Sequence, residues 1–553
     1  MPVLPLSNAD IADRLLSLAQ MLTAQKENPF KAKAYRRGAR TLRALSQSVE
    51  ELVRNEDDLT VFPGIGPGIA AAIREIVLTG ASRRLEALRA QVSPEIAAIS
   101  EYPGLDPARV LRIYRKLKIS SVEELKTALG AGEISAKLGA RMDLHIRQAL
   151  TASHEILLYD ADAIATAAEE FLLNTCRVIR CEATGDYRRR VEIVREISFL
   201  IETPDFPAVI AKTQTYGGRA ELLSSDDSTA LFRHASGIPL RLENSNAKRW
   251  GVAMILATGS EAHLRQLQLK KLRGTNATEA DVYRKLGFTF IEPELREGRG
   301  ELELAARGDL PTLVSAKDIC GELHAHSTSS DGRNTIEQMA HAARRKGYEY
   351  TGITDHSQSL KLAGGLPSEE LWKQIRFIDR MNTKLPGIRI LKSSEVDILE
   401  SGALDYPDDL LKELDYTVCS IHSKFSMNKE RQTERILRAM DNRFFTILGH
   451  ATGRLLLKRP GYEIDVERVI AHAKQNGCFF EINSSPDRLD LSAVNARLAR
   501  DAGVKIAIDT DAHSIRDFDL VRCGIDQARR AGLNSEAVLN TRSWPELEKL
   551  FRR

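Results

Sequence analysis

From residue 316 onward, short apolar runs alternate with amphipathic helical stretches, and run after run finishes in a histidine or a carboxylate. The runs are YEYTGITD, IRILKSSEVDIL, LDYTVCSIH, FFTILGH, CFFEINSS and VKIAIDTDAH. Apolar runs this short, separated by helices, are strands joined by crossover connections, which predicts a βα barrel or a parallel sheet. Such a fold collects whatever its strands carry at their C-terminal ends into one mouth. The residues so placed are His324 and His326 with Asp331 in GELHAHSTSSDG, then His356, Glu395, His422, His450, and Asp511 with His513 in IDTDAH.

His324 and His326 flank Ala325, so on extended backbone both rings face one side and can share a cation; Asp511 and His513 have the same spacing. Any one of these histidines is as readily a hydrogen-bonded turn residue. Six together cannot be packed side by side without repulsion or costly desolvation unless metal ions or carboxylates neutralise them. Nine candidate ligands exceed the needs of one ion, so two or three divalent ions are expected. Imidazole and carboxylate ligation without thiolate suits manganese or zinc, and iron as well.

At 553 residues the chain is too long for a single core and predicts about three to five modules. Its 43% hydrophobic and 28% charged content excludes wholesale disorder, collagen and coiled-coil architectures. Six scattered cysteines without a Cys-x-x-Cys pair argue against a disulfide framework and a thiolate zinc site. No run of 18 apolar residues occurs and the start lacks the pattern of a secretory signal, so a cytoplasmic location without membrane partners is expected.

Residues 8–150 read as helical, 155–255 as strands mixed with helices, and 256–315 as a short segment ending in a charged, proline-bearing connector. Residues 1–150 hold 22 Lys and Arg against 17 Asp and Glu, a balance of +5. The excess gathers in Lys31, Lys33, Arg36, Arg37, Arg40 and Arg43, an acid-free stretch suited to a phosphate backbone or to a solvated helix face. Just beyond, FPGIGPGIAAAIREIV sets Gly64, Gly66 and Gly68 before a helix, leaving bare amides at a helix N-terminus where an anion binds.

GELHAHSTSSDG, TGITDHS, SSEVDIL, SIHSKF, ILGHATGRLLLKRPGYEID, FEINSSPDRLDL and IDTDAHS together resemble the polymerase-and-histidinol-phosphatase (PHP) domain, over about residues 316–553. The resemblance implies a distorted (β/α)7 barrel whose nine matching positions, the nine residues named above, hold a trinuclear metal centre with Glu395 bridging two ions. It departs at Glu322, where an aspartate is common and no metal contact is implied. The implied chemistry is phosphate-ester hydrolysis, with ions clamping phosphate oxygens and lowering the pKa of a bound water towards about 7. Lys361, Lys424 and Arg454, each just after a ligand-bearing strand, are candidate phosphate contacts.

The glycine turn is similar to the helix-hairpin-helix of DNA-binding proteins, where amides contact phosphate without reading bases. A looser copy is expected at YPGLDPARVL, with Asp106 in place of the second glycine. NPFKAKAYRRGARTLRAL followed by that turn resembles the small N-terminal domain of family X DNA polymerases. The lysine that forms a Schiff base in that family matches Ala72, so no imine chemistry is expected there.

TGDYRRRVEIVREISFLIE, SGIPLRLEN and WGVAMILATGSEAH extend the likeness to a family X palm. Three carboxylates would hold two ions there, but the matching positions read Glu196, Ser198 and Arg241. The family's Gly-Ser reads Gly185-Asp186, and the thumb looks shortened before EADVYRKLGF. Tyr187 and Arg188 to Arg190 are either phosphate contacts or solvated surface. The expected architecture is therefore multidomain, α and α/β: a helix-hairpin-helix domain over 1–85, a fingers-like helical domain over 86–155, a degenerate palm over 156–255, a shortened thumb and linker over 256–315, and the PHP barrel over 316–553. The expected activity is a metal-dependent phosphoesterase acting on DNA ends, of 3′ to 5′ exonuclease or 3′-end-cleaning type. Its DNA partner would be gapped or 3′-recessed, bound through Lys33, Arg36, Arg37 and the glycine turn. The alternatives are an active gap-filling polymerase with proofreading, a non-catalytic DNA scaffold, and a small-molecule phosphatase.

Overall fold

The computed structural model describes residues 6–24, 27–90, 116–117, 119, 122–139, 143, 155–267, 269 and 275–552. The second glycine turn expected at 102–111, and most of 86–155, lie outside these residues. At the N-terminus, helices Asn8–Ala24 and Pro29–Ala44 pack through Ile11, Leu15, Leu18 and Leu22 against Ala32, Tyr35, Ala39 and Leu42. Asn28 starts the second helix by accepting the Phe30 amide, with Pro29 at the first helical position. Thr41 Oγ1 donates to the Pro63 carbonyl at 2.6 Å, which pins the glycine turn to this helix. Gly64 has φ 85°, and a Cβ there would meet Arg37 Cγ at 2.7 Å, so backbone freedom and close approach both demand glycine.

The middle of the chain carries strands β1 (Ile156–Leu157), β2 (Arg180–Thr184), β3 (Ile193–Val194), β4 (Ile197–Glu202), β5 (Glu221–Ser225), β6 (Thr229–Arg233) and β7 (Pro239–Asn244). β1 pairs with β3; the others form one sheet in the order β2-β4-β7-β6-β5, with β4 and β7 parallel and the rest antiparallel. Alternation along β4 and β7 sends Ile197, Phe199, Ile201, Leu240 and Leu242 into a core with the Leu158–Thr175 helix. Ser198 and Arg241, paired in register, take the other face. A smaller core around Ile255, Val282, Tyr283 and Leu302 follows.

The C-terminal strands are β8 (Gly321–Glu322), β9 (Tyr350–Ile353), β10 (Arg389–Lys392), β11 (Glu395–Asp397), β12 (Val418–Ser420), β13 (Ile447–Leu448), β14 (Phe479–Asn483) and β15 (Ile506–Asp509). β8-β9-β10 and β11 through β15 are all parallel, and β10 runs on into β11 past Ser393 and Ser394 as one broken strand. Parallel bridges His356–Glu395 and Ala325–Ala512 join the two sheets and close the ring. A closed barrel of seven strand positions results, with helices such as Ile336–Arg345 and Ser368–Lys384 outside it. The barrel abuts the middle domain where Leu157 and Ile193 pack on Leu456, Leu489 and Cys523.

Candidate metal centre

Glu395 begins β11 and lies 1% exposed at the middle of the barrel mouth, with five histidines around its carboxylate. His356 Nδ1 is 2.9 Å, His324 Nε2 3.5 Å and His326 Nε2 3.6 Å from Oε2. His450 Nε2 is 2.9 Å and His422 Nε2 3.2 Å from Oε1. Asp511 stands beside them, its Oδ1 3.1 Å from His326 Nε2 and 3.5 Å from His324 Nε2. Asp331 reaches in from the loop after His326, 3.6 Å from His356 Nε2 and 3.3 Å from His513 Nε2. All nine residues expected from the sequence therefore meet at one place. Three overlapping groups have donor atoms within 4.8 Å of one another: His326, Asp331, His356 and His513; His324, His326 and Asp511; His356, Glu395 and His422.

A ring of acids behind this cluster fixes the rings, and sequence reasoning missed it. Glu481 on β14 accepts from His324 Nδ1 at 2.5 Å and from the His450 amide at 2.6 Å. Asp397 on β11 pairs with His422 Nδ1 at 2.8 Å. Each leaves Nε2 of its ring turned towards Glu395. Asp355 accepts from Ser327, Ser330 and Gln374 and so holds the loop that carries Asp331. Glu322 accepts from the His324 amide and from Thr510, an outer position as its departure from the family pattern implied. The available signal was that β14, like its neighbours, ends in polar residues, Glu481 and Asn483; the latter donates to Asp511 Oδ2 at 3.1 Å.

The electrostatics follow from burial opposed by these neighbours. Burial disfavours a charged His324, yet Glu481, Asp511 and Glu395 outweigh it and hold the ring well above its ordinary pKa. Burial is likewise overcome at His356, raised to about 10 beside Glu395 and Asp331, and at His422, raised to about 9 beside Glu395 and Asp397. His326 moves the other way, to about 4, because burial is joined by the nearby His356. Burial opposes charge on Glu395 too, and His422, His356 and His324 still keep its carboxyl well below the usual range.

Several buried polar atoms in the cluster lack a hydrogen-bond partner: His324 Nε2, His326 Nδ1, His356 Nδ1, His450 Nδ1 and Glu395 Oε2. His356 Nδ1 and Glu395 Oε2 are close but not aligned for a hydrogen bond. Ligands on one ion at about 2.0–2.2 Å stand roughly 3 Å apart, the spacing found here. Converging nitrogen and oxygen donors with orphaned lone pairs fit divalent metal ions.

The three cations expected to touch phosphate fare differently. Arg454 is a correction: its guanidinium binds both Glu192 oxygens at 2.9 and 2.7 Å and the carbonyls of Arg488 and Leu489. Four of its five donors are engaged in this way, and it ties the barrel to the middle domain. Lys424 pairs with Glu400 at 3.0 Å on the exposed side of the mouth, and Lys361 is exposed on the turn before Gly364. Arg488, which sequence reasoning passed over, lies closer, its Nε 3.7 Å from Asp511 Oδ2.

In the middle domain the three matched positions come together. Arg241 on β7 binds Glu196 through Nε at 2.7 Å and a terminal nitrogen at 2.9 Å, and Ser198 Oγ donates to Glu196 at 2.8 Å. Arg188, Arg189 and Arg190 are neither solvated nor open to phosphate. Arg188 binds Glu279, Arg189 binds Glu297 and Asp186, and Arg190 bridges Asp162 and Asp526. The last pair joins the middle domain to the barrel.

At the N-terminus, Gly66 caps the Pro67–Thr79 helix without a side-chain bond, and nothing lies within 4 Å of a Cβ built at Gly66 or Gly68. Lys33, Arg36 and Arg37 are exposed on the adjoining helix, and Ala72 lies half-buried in the helix after the turn. Among the described residues no helix is long and apolar enough to cross a membrane.

Residues 6–82 match the helix-hairpin-helix domain family, and residues 322–485 match the PHP domain family. The chain is 33% identical over 573 aligned residues to the DNA polymerase/3′-5′ exonuclease PolX of Bacillus subtilis, covering 98% of this chain and 99% of that protein. Over 231 residues, 40% of this chain and 89% of the relative, it is 33% identical to a probable phosphatase of Thermoanaerobacter pseudethanolicus. A probable phosphatase of Acetivibrio thermocellus is 29% identical over 232 residues, 40% of this chain and 90% of its own.

Proposed function

The chain belongs to the bacterial family X DNA polymerases that carry a C-terminal PHP domain, and from that membership we propose that its working activity is hydrolysis of DNA 3′ ends at the PHP centre. The observation that carries this reading is the five-histidine shell around Glu395. His324, His326, Asp331, His356, Glu395, His422, His450, Asp511 and His513 would hold two or three ions, manganese or zinc, with iron the remaining option. When bound, the ions supply Lewis acidity that offsets phosphate charge and makes a water acidic enough to attack near neutral pH. The chain's own groups prepare the site for that. Glu481 and Asp397 hold the His324 and His422 tautomers, Asn483 orients Asp511, and Asp355 keeps the Asp331 loop in place. Arg488 offers a guanidinium at the rim to a phosphate oxygen, a role geometry favours for it over Arg454.

The palm acts, in this reading, as a holder of gapped or recessed DNA together with the glycine turn and the Lys33–Arg37 face. Nucleotidyl transfer requires carboxylates free to bind two ions. Glu196 is instead occupied by a guanidinium, which stays protonated and cannot ligate.

The test is an end-labelled gapped duplex with manganese, with and without deoxynucleotides, comparing the intact chain with a His324→Ala, His326→Ala double variant. Shortening that vanishes in the double variant is expected. Nucleotide-dependent extension that survives it would overturn the inactive palm in favour of a gap-filling polymerase. Retention of uncut duplex would favour a scaffold. The likeness of the barrel alone to probable phosphatases favours a small-molecule phosphatase as the second reading; failure of DNA to compete with a monoester substrate would support it.

A further inference from the structure

Arg488 stands at the metal centre by its side chain and at the joint between domains by its backbone. It belongs to the loop that leaves β14, and its Nε lies 3.7 Å from Asp511 Oδ2. Among the described residues its guanidinium makes no hydrogen bond, so its place follows the backbone that carries it. The amides of Arg488 and Leu489 donate to the Ser485 carbonyl at 2.8 and 3.1 Å, within the turn. Their carbonyls accept from Arg454, the first from Nε at 2.9 Å and the second from a terminal nitrogen. The far edge of the same guanidinium donates to both oxygens of Glu192, in the middle domain, at 2.9 and 2.7 Å. A planar fork that meets two carbonyls on one edge and a carboxylate on the other fixes the distance between them.

The loop needs such support. Leu489 has φ 43°, in the left-handed region that a leucine seldom adopts, and a residue keeps that backbone only where its surroundings impose it. Within the barrel, Thr452 holds the next residue, donating to Asp490 Oδ2 through its amide at 2.9 Å and its hydroxyl at 3.0 Å. The middle domain supplies the rest. Glu192 immediately precedes β3, and Ile193 of β3 with Leu157 of β1 packs on the cluster of Leu456, Leu489 and Cys523.

We propose that Glu192 and Arg454 are positioning residues for hydrolysis in the barrel: through them the middle domain sets where Arg488 meets a phosphate oxygen at the metal centre. This rests on the reading of that centre as a phosphoesterase and adds to it a dependence on the neighbouring domain. A misplacement of about 1 Å at a reacting centre can cost up to about 100-fold in rate, so a slack loop is enough to be felt.

The test uses the full chain with manganese, and bis(4-nitrophenyl) phosphate, a diester too small to need the DNA-binding domains. Glu192→Gln is expected to lower kcat/KM about tenfold with metal content by elemental analysis unchanged. Arg454→Lys, which keeps the charge and loses the fork, should do the same. In an Arg488→Ala background, Glu192→Gln should lower nothing further, because both changes act on one group. Losses that multiply, loss of metal in Glu192→Gln, or a lower melting temperature with hydrolysis unchanged would each make the pair a structural joint and overturn the positioning. The same fold-loss is expected on a labelled DNA 3′ end; a loss on DNA alone also overturns it. If the intact chain cleaves the diester but leaves DNA whole, the nuclease reading alone fails and the diester series still decides. If it cleaves neither, calorimetry with inorganic phosphate decides: binding weakened by Glu192→Gln and by Arg488→Ala, and no further by the pair, upholds the positioning, and unchanged or absent binding overturns it.

Discussion

Glu395 and Glu196 occupy comparable places, each beside a parallel strand pair with basic side chains converging on its two oxygens. Around Glu395 the bases are imidazoles; beside Glu196 the base is the Arg241 guanidinium. An imidazole gives up its proton to a metal ion and becomes a ligand, whereas a guanidinium has no lone pair to offer and stays charged. The first site keeps five buried donors and acceptors without a hydrogen-bond partner. At the second, Arg241 and Ser198 already satisfy Glu196. The Glu196 carboxylate is thus paired with a fixed cation, and the Glu395 carboxylate with groups that can become ligands.

The largest effect should come from removing the acid at the centre of the first site. Glu395→Gln is expected to strip bound divalent metal, read by elemental analysis of the purified chain, and to abolish hydrolysis while DNA retention persists. Full metal content in that variant would break the contrast with Glu196, whose own Glu196→Gln change should leave nuclease activity within about twofold.

Next in size is the converse exchange. Ser198→Asp with Arg241→Asp would free Glu196 and give it two carboxylate neighbours, and added divalent-ion binding by calorimetry is the expected outcome. No added binding would mean that the fold around β4 and β7, and not the Arg241 pair, closes the site.

The outer acids should matter less. Asp397→Asn and Glu481→Gln are each expected to weaken metal affinity by about 10–100-fold, measured by chelator competition, because each releases a ligand ring from its tautomer. At the joint between domains, Arg454→Met should cost about 2 kcal/mol of stability by loss of charged hydrogen bonds, seen as a lower melting temperature. If Arg454 contacted phosphate instead, DNA affinity would fall and stability would not.

An effect confined to acid pH is expected at His234, held neutral with its pKa lowered to about 3 by burial and then by Arg43. In the unfolded chain this ring titrates near about 6.5, so the unfolded state binds the extra proton between those values. Its contribution to stability is complete above pH 6.5 and is lost as pH falls towards 3. His234→Gln should flatten the acid-side decline of the melting temperature by about one proton's worth.

Much of the barrel was legible because period and position carried it. His324, His326, Asp511 and His513 stand at alternate residues at the ends of apolar runs, and seven parallel strand positions deliver them to one mouth. Glu481, Asp397 and Asp355 were not legible as a group. Each is an ordinary acid in a strand or turn until barrel closure brings a particular ring or loop to it. Arg454 misled for the opposite reason. Nearness to His450 in sequence suggested a phosphate, while its partner Glu192 lies 262 residues away.

By itself the sequence determined the residue types and their periodicity, hence the βα repetition, the nine potential ligands, the glycine turn and an arginine at position 241. Those are local properties, set by backbone geometry and side-chain chemistry. Only the tertiary structure decided which arginines are spent on internal acids and which carboxylates steer the imidazoles. Each of these depends on distances between segments far apart in the chain, and a side chain's charge is used by whichever partner folding brings within reach.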